Sequence, residues 1–399
     1  MRDIFIIGSK GIPAKYGGFE TFVDQLAGCR KSEELCYHVA CMDHAGGEFE
    51  YNRSRCFRVK TPKIGPAKAV WYDLAAFFYC LRYLKAHPSD GPVVYVLACR
   101  IGPFIGFLKR RLRKLGGSLF VNPDGHEWMR AKWNRVIRRY WRFSEKGMVK
   151  HADLIICDSK NMEAYILNTY KNYQPKTTYI AYGADVKRST LADTDETLLA
   201  WYRKWGLKAG EYFLIVGRFV PENNYETMLR EFMRTETDKK LAIISNAENN
   251  PFYRKLKETT GFGTDRRVVF CQTVYDAQLL KKIRENACAY LHGHEVGGTN
   301  PSLLEALSST DVNLLLDVGF NREVGGRAAF YWTKDEGSLS ALIEKAERLS
   351  GTERNALGEK ARERILTDYR PEQIAMAYER LFLGEKNGAG TDIGGGRNV

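Results

Sequence analysis

An α/β protein of two Rossmann-like domains is what the sequence predicts, and three observations carry that expectation. The chain has 399 residues, more than one hydrophobic core ordinarily supports, so two domains of ordinary size are expected. Short apolar, β-rich runs recur with spacers long enough for helices, the pattern of parallel strands joined by crossover helices. The pattern stops once, near residue 186, and then begins again.

The first series of strands reads "IFIIG", "HVACMD", "VVYVLA", "SLFVNPD", "ADLIICDS" and "TTYIAYG". Residues 186–210 are polar and charged, and after them come "YFLIVG", "LAIIS", "VVFCQ", "CAYLHG", "VNLLLD" and "AAFYW". Two helices are expected at 354–368 and 371–383, with Pro371 suited to a first helical turn. The expected organisation is an N-terminal domain over 1–185 and a C-terminal domain over 186–365. A helix over 366–384 is expected to pack back on the first domain, and the Gly-rich tail 385–399 to be flexible.

Hydrophobic residues make up 44% and charged residues 27%, a globular composition rather than a disordered, fibrous or integral-membrane one. The net charge of +13 attracts something anionic, whether nucleic acid, a lipid surface or a phosphorylated small molecule. The N-terminal apolar run covers only residues 4–7, far short of a signal peptide or a membrane span, so a cytoplasmic protein is expected. Nine cysteines are scattered without a Cys-x-x-Cys pair and are expected to be reduced core thiols.

Three segments can carry chemistry. The first strand runs into "GSKGIPAKYGGFETFVDQLA", whose Gly8, Gly11, Gly17 and Gly18 let backbone approach a ligand while the following helix offers free amides to an anion. The spacing is neither G-x-G-x-x-G nor a P-loop, which disfavours a dinucleotide or ATP site; a plain structural turn is the other reading. In "YFLIVGRFVPENN", Arg218 stands just past a strand end, where open α/β sheets bind ligands and a guanidinium can clamp a diphosphate, unless it is a simple surface arginine. In "CAYLHGHEVGGTNPSLLEALSS", a strand is followed by a loop with Gly293, Gly297, Gly298 and Thr299. Pro301 then opens a helix whose first free amides suit a phosphate, and Glu305, one turn in, can accept from a ribose hydroxyl.

Together "VGRFVPENN", "GGTNPSLLEA" and "YGGFE" resemble the retaining family 4 glycosyltransferases of GT-B fold. The "GSKGIPAKYGGFET" opening is most similar to the bacterial rhamnosyltransferase branch of capsule and surface polysaccharide synthesis, over roughly residues 4–383. The resemblance implies two domains facing each other across a cleft. It implies that Gly17 and Gly18 face the donor phosphates, that Arg218 binds the diphosphate and assists its departure, and that Gly298 and Thr299 contact sugar or phosphate through their amides. Glu305 then holds the ribose, and Asn223, Val274 and Asn300 complete the donor set. Two positions depart from the family: Asn223 stands where a lysine is usual, and Gly297 where a glutamate is usual, with Glu295 out of register.

Acceptor-side contacts in this family fall on the segment matching "NPDGHEWMRAKW", which makes Asp124, His126, Glu127 and Arg130 candidates for sugar hydroxyls, Asp124 foremost and His126 with a structural alternative. His294 is expected to touch substrate, and with Arg218 and Asp124 it makes up the expected catalytic group. His292 and His294 lack companions at metal-ligand spacing, and neither a metal nor another cofactor is expected.

The segment "WNRVIRRYWRFSEK" places Arg135, Arg138, Arg139 and Arg142 on one helical stripe and Trp133, Val136, Ile137 and Tyr140 on another, after a second basic run, "KRRLRK". These are either solvated faces over core stripes or a surface for anionic lipid, at about 1 kcal/mol per basic residue. The resemblance favours lipid. It implies a hexosyltransferase, peripheral on the inner face of the plasma membrane, moving L-rhamnose from dTDP-rhamnose to a polyprenyl-diphosphate-linked saccharide. Another UDP- or GDP-sugar, a sugar-nucleotide 2-epimerase of the same architecture, and a nucleic-acid-binding protein are the alternatives, the last without any recognisable nucleic-acid-binding motif.

Overall fold

The computed structural model describes residues 1–14, 17–43, 46–65, 67–130, 133–248 and 250–385; the expected tail therefore lies outside the described residues beyond Glu385. The chain divides into two compact units, residues 1–183 with 370 onward, and residues 184–369.

The first unit contains β1 (Arg2–Ile7), α1 (Gly18–Gly28), β2 (Leu35–Asp43), β3 (Glu48–Tyr51), β4 (Ser54–Lys60), α2 (Ala67–Ala86), β5 (Val93–Leu97), α3 (Gly102–Lys114), β6 (Ser118–Asn122), α4 (Arg135–His151), β7 (Leu154–Cys157), α5 (Lys160–Thr169) and β8 (Thr177–Tyr179). Its strands run in the order β3-β4-β2-β1-β5-β6-β7-β8. All pairings are parallel except β3 with β4. Phe5 and Ile7 of β1 and Val94 and Val96 of β5 pack under Tyr72 and Phe77 of α2 and Ile105 and Leu108 of α3. Both sheet faces are covered, which is why the strands read as continuous apolar runs.

The β3–β4 hairpin is absent from the expected strands. Its two-residue turn, Asn52 and Arg53, has φ values of 47° and 54°, the left-handed pair a tight hairpin needs; an Asn-Arg dipeptide gives a weaker sequence signal than Asn-Gly. Arg55 grips Glu48 across the strands at 2.6 and 2.9 Å. Helices α3 and α4 approach closely: the Gly102 amide donates to Ser144 Oγ at 2.8 Å, and a Cβ at Gly102 would lie 1.9 Å from the Ser144 carbonyl oxygen.

The second unit contains α6 (Glu196–Trp205), β9 (Tyr212–Val216), α7 (Tyr225–Met233), β10 (Lys240–Ile244), α8 (Pro251–Thr260), β11 (Val268–Cys271), α9 (Ala277–Glu285), β12 (Ala289–His292), α10 (Pro301–Ser309), β13 (Asn313–Leu316), α11 (Gly319–Gly325), β14 (Phe330–Trp332), α12 (Ser338–Arg348) and α13 (Gly351–Asp368). The strand order is β11-β10-β9-β12-β13-β14. Within the polar stretch 186–210, α6 forms because Asp195 caps its start and Gly206, in the left-handed conformation, ends it. Leu198, Trp201 and Tyr202 give it one buried face. Helix α13 begins three residues before the expected position, on a capping box between Ser350 and Glu353.

A last helix, α14 (Pro371–Leu383), belongs to the first unit. Tyr378 packs on Phe22 of α1 and on Tyr95, with centroids 5.2 and 5.9 Å apart. The Glu379 carboxylate accepts from the Lys31 and Ser32 amides at 2.6 and 3.2 Å.

In both sheets the chain leaves a central strand in one direction and returns on its other side. The reversal falls between β1 and β5 in the first unit and between β9 and β12 in the second. Such a switch point opens a crevice at the carboxyl ends of the strands, where open α/β sheets bind ligands.

Candidate functional site

At the second switch point, β9 ends at Val216 and the chain turns through Gly217 and Arg218. Arg218 is exposed, and among the described residues no hydrogen bond or ion pair reaches its guanidinium. Its carbonyl is braced by Asn223 Nδ2 at 2.7 Å, while Asn223 Oδ1 meets His294 Nδ1 at 2.8 Å. Asn224, at φ 53°, donates to the Gly293 carbonyl at 2.8 Å. The loops after β9 and β12 are thereby tied together. Asn223, where the resemblance expects a lysine, supplies two hydrogen bonds rather than a charge.

Gly297 has φ 143°, a conformation that favours glycine. A Cβ there would come within 3.1 Å of His294 Nε2. The residue standing in place of the usual glutamate therefore leaves room for the imidazole, which also packs edge-on to Phe320 at 5.7 Å. Glu295 is held by Lys334, both carboxylate oxygens lying 2.6 Å from Nζ.

Glu305 is not free, as an arginine that sequence reasoning missed binds it. Arg284, at the end of α9 and 4% exposed, reaches Glu305 Oε2 at 2.6 Å and Ser302 Oγ at 3.3 Å. Ser302 in turn donates to the Val216 carbonyl at 3.2 Å. In "LLKKIRENA" this arginine reads as one of a basic surface stripe, and only packing reveals its burial. A correction also applies to α10: the Ser302 amide, expected free for an anion, donates to the Asn300 side chain at 2.9 Å, an ordinary N-cap. Gly298 and Thr299 are buried in the same loop. Val274 lies in the loop after β11, packed on the apolar cluster beneath α6.

His292 ends β12 with Nε2 buried and without a hydrogen-bond partner among the described residues. Burial pushes its pKa down to about 3. The unfolded chain, titrating near pH 6.5, binds the proton more readily, so the stability associated with this group is present above about pH 6.5 and is lost as pH falls toward 3. His292→Leu is expected to flatten that dependence. Between about pH 7 and about pH 5 the wild type should lose ~2 kcal/mol more than the variant, read from urea midpoints.

In the first unit, two amides of the glycine loop that precedes α1 already have carboxylate acceptors on that helix. Glu20 Oε1 accepts from the Lys10 amide and Asp24 Oδ2 from the Ala14 amide, both at 2.7 Å. Gly17, at φ 128°, lies so close to Glu20 that a Cβ would be 1.9 Å from Oε2, and Gly18 opens α1. The four acceptor candidates come together after β6. Asp124 and His126 have φ values of 56° and 44°, backbone strain of about 1 kcal/mol or more each, of the kind that gathers at functional sites. Arg130 is ion-paired with Glu127, and its Nη2 lies 3.9 Å from Asp124 Oδ1. Trp133 Nε1 donates to Glu127 at 2.8 Å.

His126 packs edge-on to Tyr165 at 4.1 Å. Burial lowers its pKa, against the opposite pull of Asp124. Tyr165 is fixed from beneath by the buried Glu145, 2.7 Å from its hydroxyl. At the β1–β5 switch point stands another residue that sequence reading passed over: Arg100 donates to the Gly8 carbonyl at 2.8 Å and to Asp73 at 3.2 and 3.3 Å. Complete burial pushes the Asp73 carboxyl up to about 6, with the Arg100 guanidinium pulling against it.

Two units, each built on a largely parallel sheet with a central switch point, have the architecture of the GT-B fold, and comparison with solved structures shows that fold. A sucrose-phosphate synthase from Thermosynechococcus elongatus superposes with a TM-score of 0.76 at 16% identity, covering 96% of this chain and 99% of that one. A trehalose-6-phosphate protein from E. coli bound with UDP-2-fluoro glucose gives 0.71 at 11% identity, with 96% and 99% covered. Anabaena HepE in complex with UDP gives 0.69 at 13% identity, with 96% and 100% covered. Residues 1–185 match a family model described as a domain of unknown function (DUF1972). No curated protein matches the sequence.

Proposed function

We propose that this protein is a retaining glycosyltransferase that moves L-rhamnose from dTDP-rhamnose to a polyprenyl-diphosphate-linked saccharide in surface polysaccharide synthesis. The observation that carries the proposal is the exposed Arg218 just past the carboxyl end of β9, its carbonyl tied through Asn223 to His294 in the loop after β12. The GT-B fold supports it, as does the bound UDP or UDP-sugar in two of the similar structures.

In this proposal Arg218 and the amides of Gly298 and Thr299 meet the donor diphosphate and stabilise the charge that develops on the departing oxygen. The opposing positive charge and the hydrogen bonds come from protein groups, so no metal is invoked. Glu305 keeps one carboxylate oxygen on Arg284 and offers the other to the ribose. The acceptor hydroxyl gives its proton to the departing phosphate, while Asp124, His126, Glu127 and Arg130 orient the acceptor sugar. The protein works at the inner face of the plasma membrane, with the basic residues of α3 and α4 drawn to anionic lipid; no helix among the described residues is long and apolar enough to cross a membrane.

The test is a melting-temperature panel with dTDP, UDP and GDP, followed by incubation of the preferred sugar nucleotide with and without a polyprenyl-diphosphate-linked saccharide. The largest stabilisation is expected with dTDP, and sugar transfer only when the acceptor is present. Best stabilisation by GDP overturns the rhamnosyl assignment. Conversion of the sugar nucleotide without acceptor identifies a 2-epimerase instead.

A further inference from the structure

Large apolar side chains are exposed very unevenly in this protein. Among the described residues the second unit exposes only Tyr275 and Leu366. The first unit exposes Trp71 and Phe78 on α2, Phe104 and Phe107 on α3, and Val136 and Phe143 on α4, besides the scattered Met1, Ile64, Met129 and Leu167. The spacings of seven, three and seven residues put each pair on one side of its helix. Val136 thereby departs from the core stripe expected for it: at 75% exposure it lies with the basic face, while Trp141, Ser144, Glu145, Met148 and Val149 form the buried one.

These helices are neighbours. Gly102 of α3 and Gly147 of α4 bring their backbones into contact, a Cβ on Gly147 falling 2.6 Å from the Gly102 carbonyl oxygen. Helices α2 and α3 share one apolar cluster against the sheet. Exposed cations flank the aromatic residues on every helix, at Arg82, Arg110, Arg111, Arg135, Arg139 and Lys146. The Arg111 guanidinium stacks on the Phe107 ring at 4.6 Å. A stray apolar side chain needs no explanation, but phenylalanines and a tryptophan ringed by arginines on adjoining helices have the composition of a surface that enters the boundary between headgroups and acyl chains.

We infer that the outer face of α2, α3 and α4 inserts its aromatic side chains into the surface of an anionic bilayer. The inference rests on the membrane placement proposed above and deepens it, because attraction by α3 and α4 arginines alone is electrostatic, whereas Trp71, Phe104, Phe107 and Phe143 add a contribution that salt does not screen. Charge complementarity selects the occupant. A second copy of this chain would bring two arginine-rich faces together, whereas anionic headgroups neutralise them.

The test is flotation of the full chain with vesicles of phosphatidylcholine alone or mixed equally with phosphatidylglycerol, at about 0.1 M and about 0.5 M NaCl. Wild-type protein is expected to float with the anionic vesicles at both salt concentrations. The Trp71→Ser/Phe104→Ser/Phe107→Ser/Phe143→Ser variant should bind roughly tenfold more weakly at the lower salt and not at all at the higher, with unchanged circular dichroism and melting temperature. Salt-labile wild-type binding, equal in the variant, overturns aromatic insertion and leaves basic docking standing. A wild type that floats with neither vesicle overturns both. Concentration-dependent dimerisation in gel filtration, abolished by the same four substitutions, would assign the face to self-association instead.

Discussion

Arg218→Ala is expected to remove most of the rise in melting temperature that a nucleoside diphosphate gives the wild-type protein, without changing the melting temperature of the free protein. The second half of the prediction follows from exposure: the guanidinium is not engaged by any described residue, and surface substitutions of that kind cost within about 0.5 kcal/mol. The first half follows from charge. A charge-assisted pair with a phosphate contributes about 3 kcal/mol, roughly a hundredfold in affinity. At a ligand concentration of ~100 Kd, wild-type stabilisation of ~2.7 kcal/mol should fall to ~0.4 kcal/mol in the variant. Arg218→Lys should recover part of the difference, since lysine keeps the charge and loses the fork. Unaltered nucleotide binding in Arg218→Ala would remove this residue from the donor site.

The second large effect concerns Glu305 and Arg284, and its two halves should be unequal. Glu305→Gln leaves a guanidinium that is 4% exposed without its counter-charge, a change expected to cost ~3 kcal/mol in urea denaturation. Arg284→Met leaves Glu305, whose side chain is 41% exposed, to be solvated by water, and should cost less. The double variant should regain much of the stability lost by Glu305→Gln, while nucleotide stabilisation stays impaired in all three because the ribose contact is missing or misplaced. A Glu305→Gln protein as stable as wild type would mean that the pair contributes nothing to folding. Full nucleotide stabilisation in Arg284→Met would show that the arginine does not position the carboxylate.

The architecture was largely legible along the chain because strands buried on both faces must be apolar throughout, so runs such as "IFII" and "YFLIV" declare themselves locally. The β3–β4 hairpin was not, since its polar edge strand, "EFEY", and its Asn-Arg turn lack both an apolar run and a glycine. Helix α6 was hidden for a similar reason: its three buried side chains are diluted by charges, and its caps carry the signal instead. In the candidate site, Arg218 stands out because a strand end followed by glycine and arginine has positional meaning. Arg284 and Arg100 do not, because each lies among ordinary residues and acquires a partner only when distant segments meet.

What the sequence determined by itself was the alternation of strands and helices, the break between its two series, and the glycine and arginine positions at strand ends, all consequences of local periodicity and backbone sterics. Tertiary structure alone decided which charges are spoken for: Glu305 by Arg284, Asp73 by Arg100, the glycine-loop amides by Glu20 and Asp24. It alone decided that Val136 faces outward with the arginines. Burial and ion pairing are properties of surfaces brought together from far along the chain, and no window of neighbouring residues contains them.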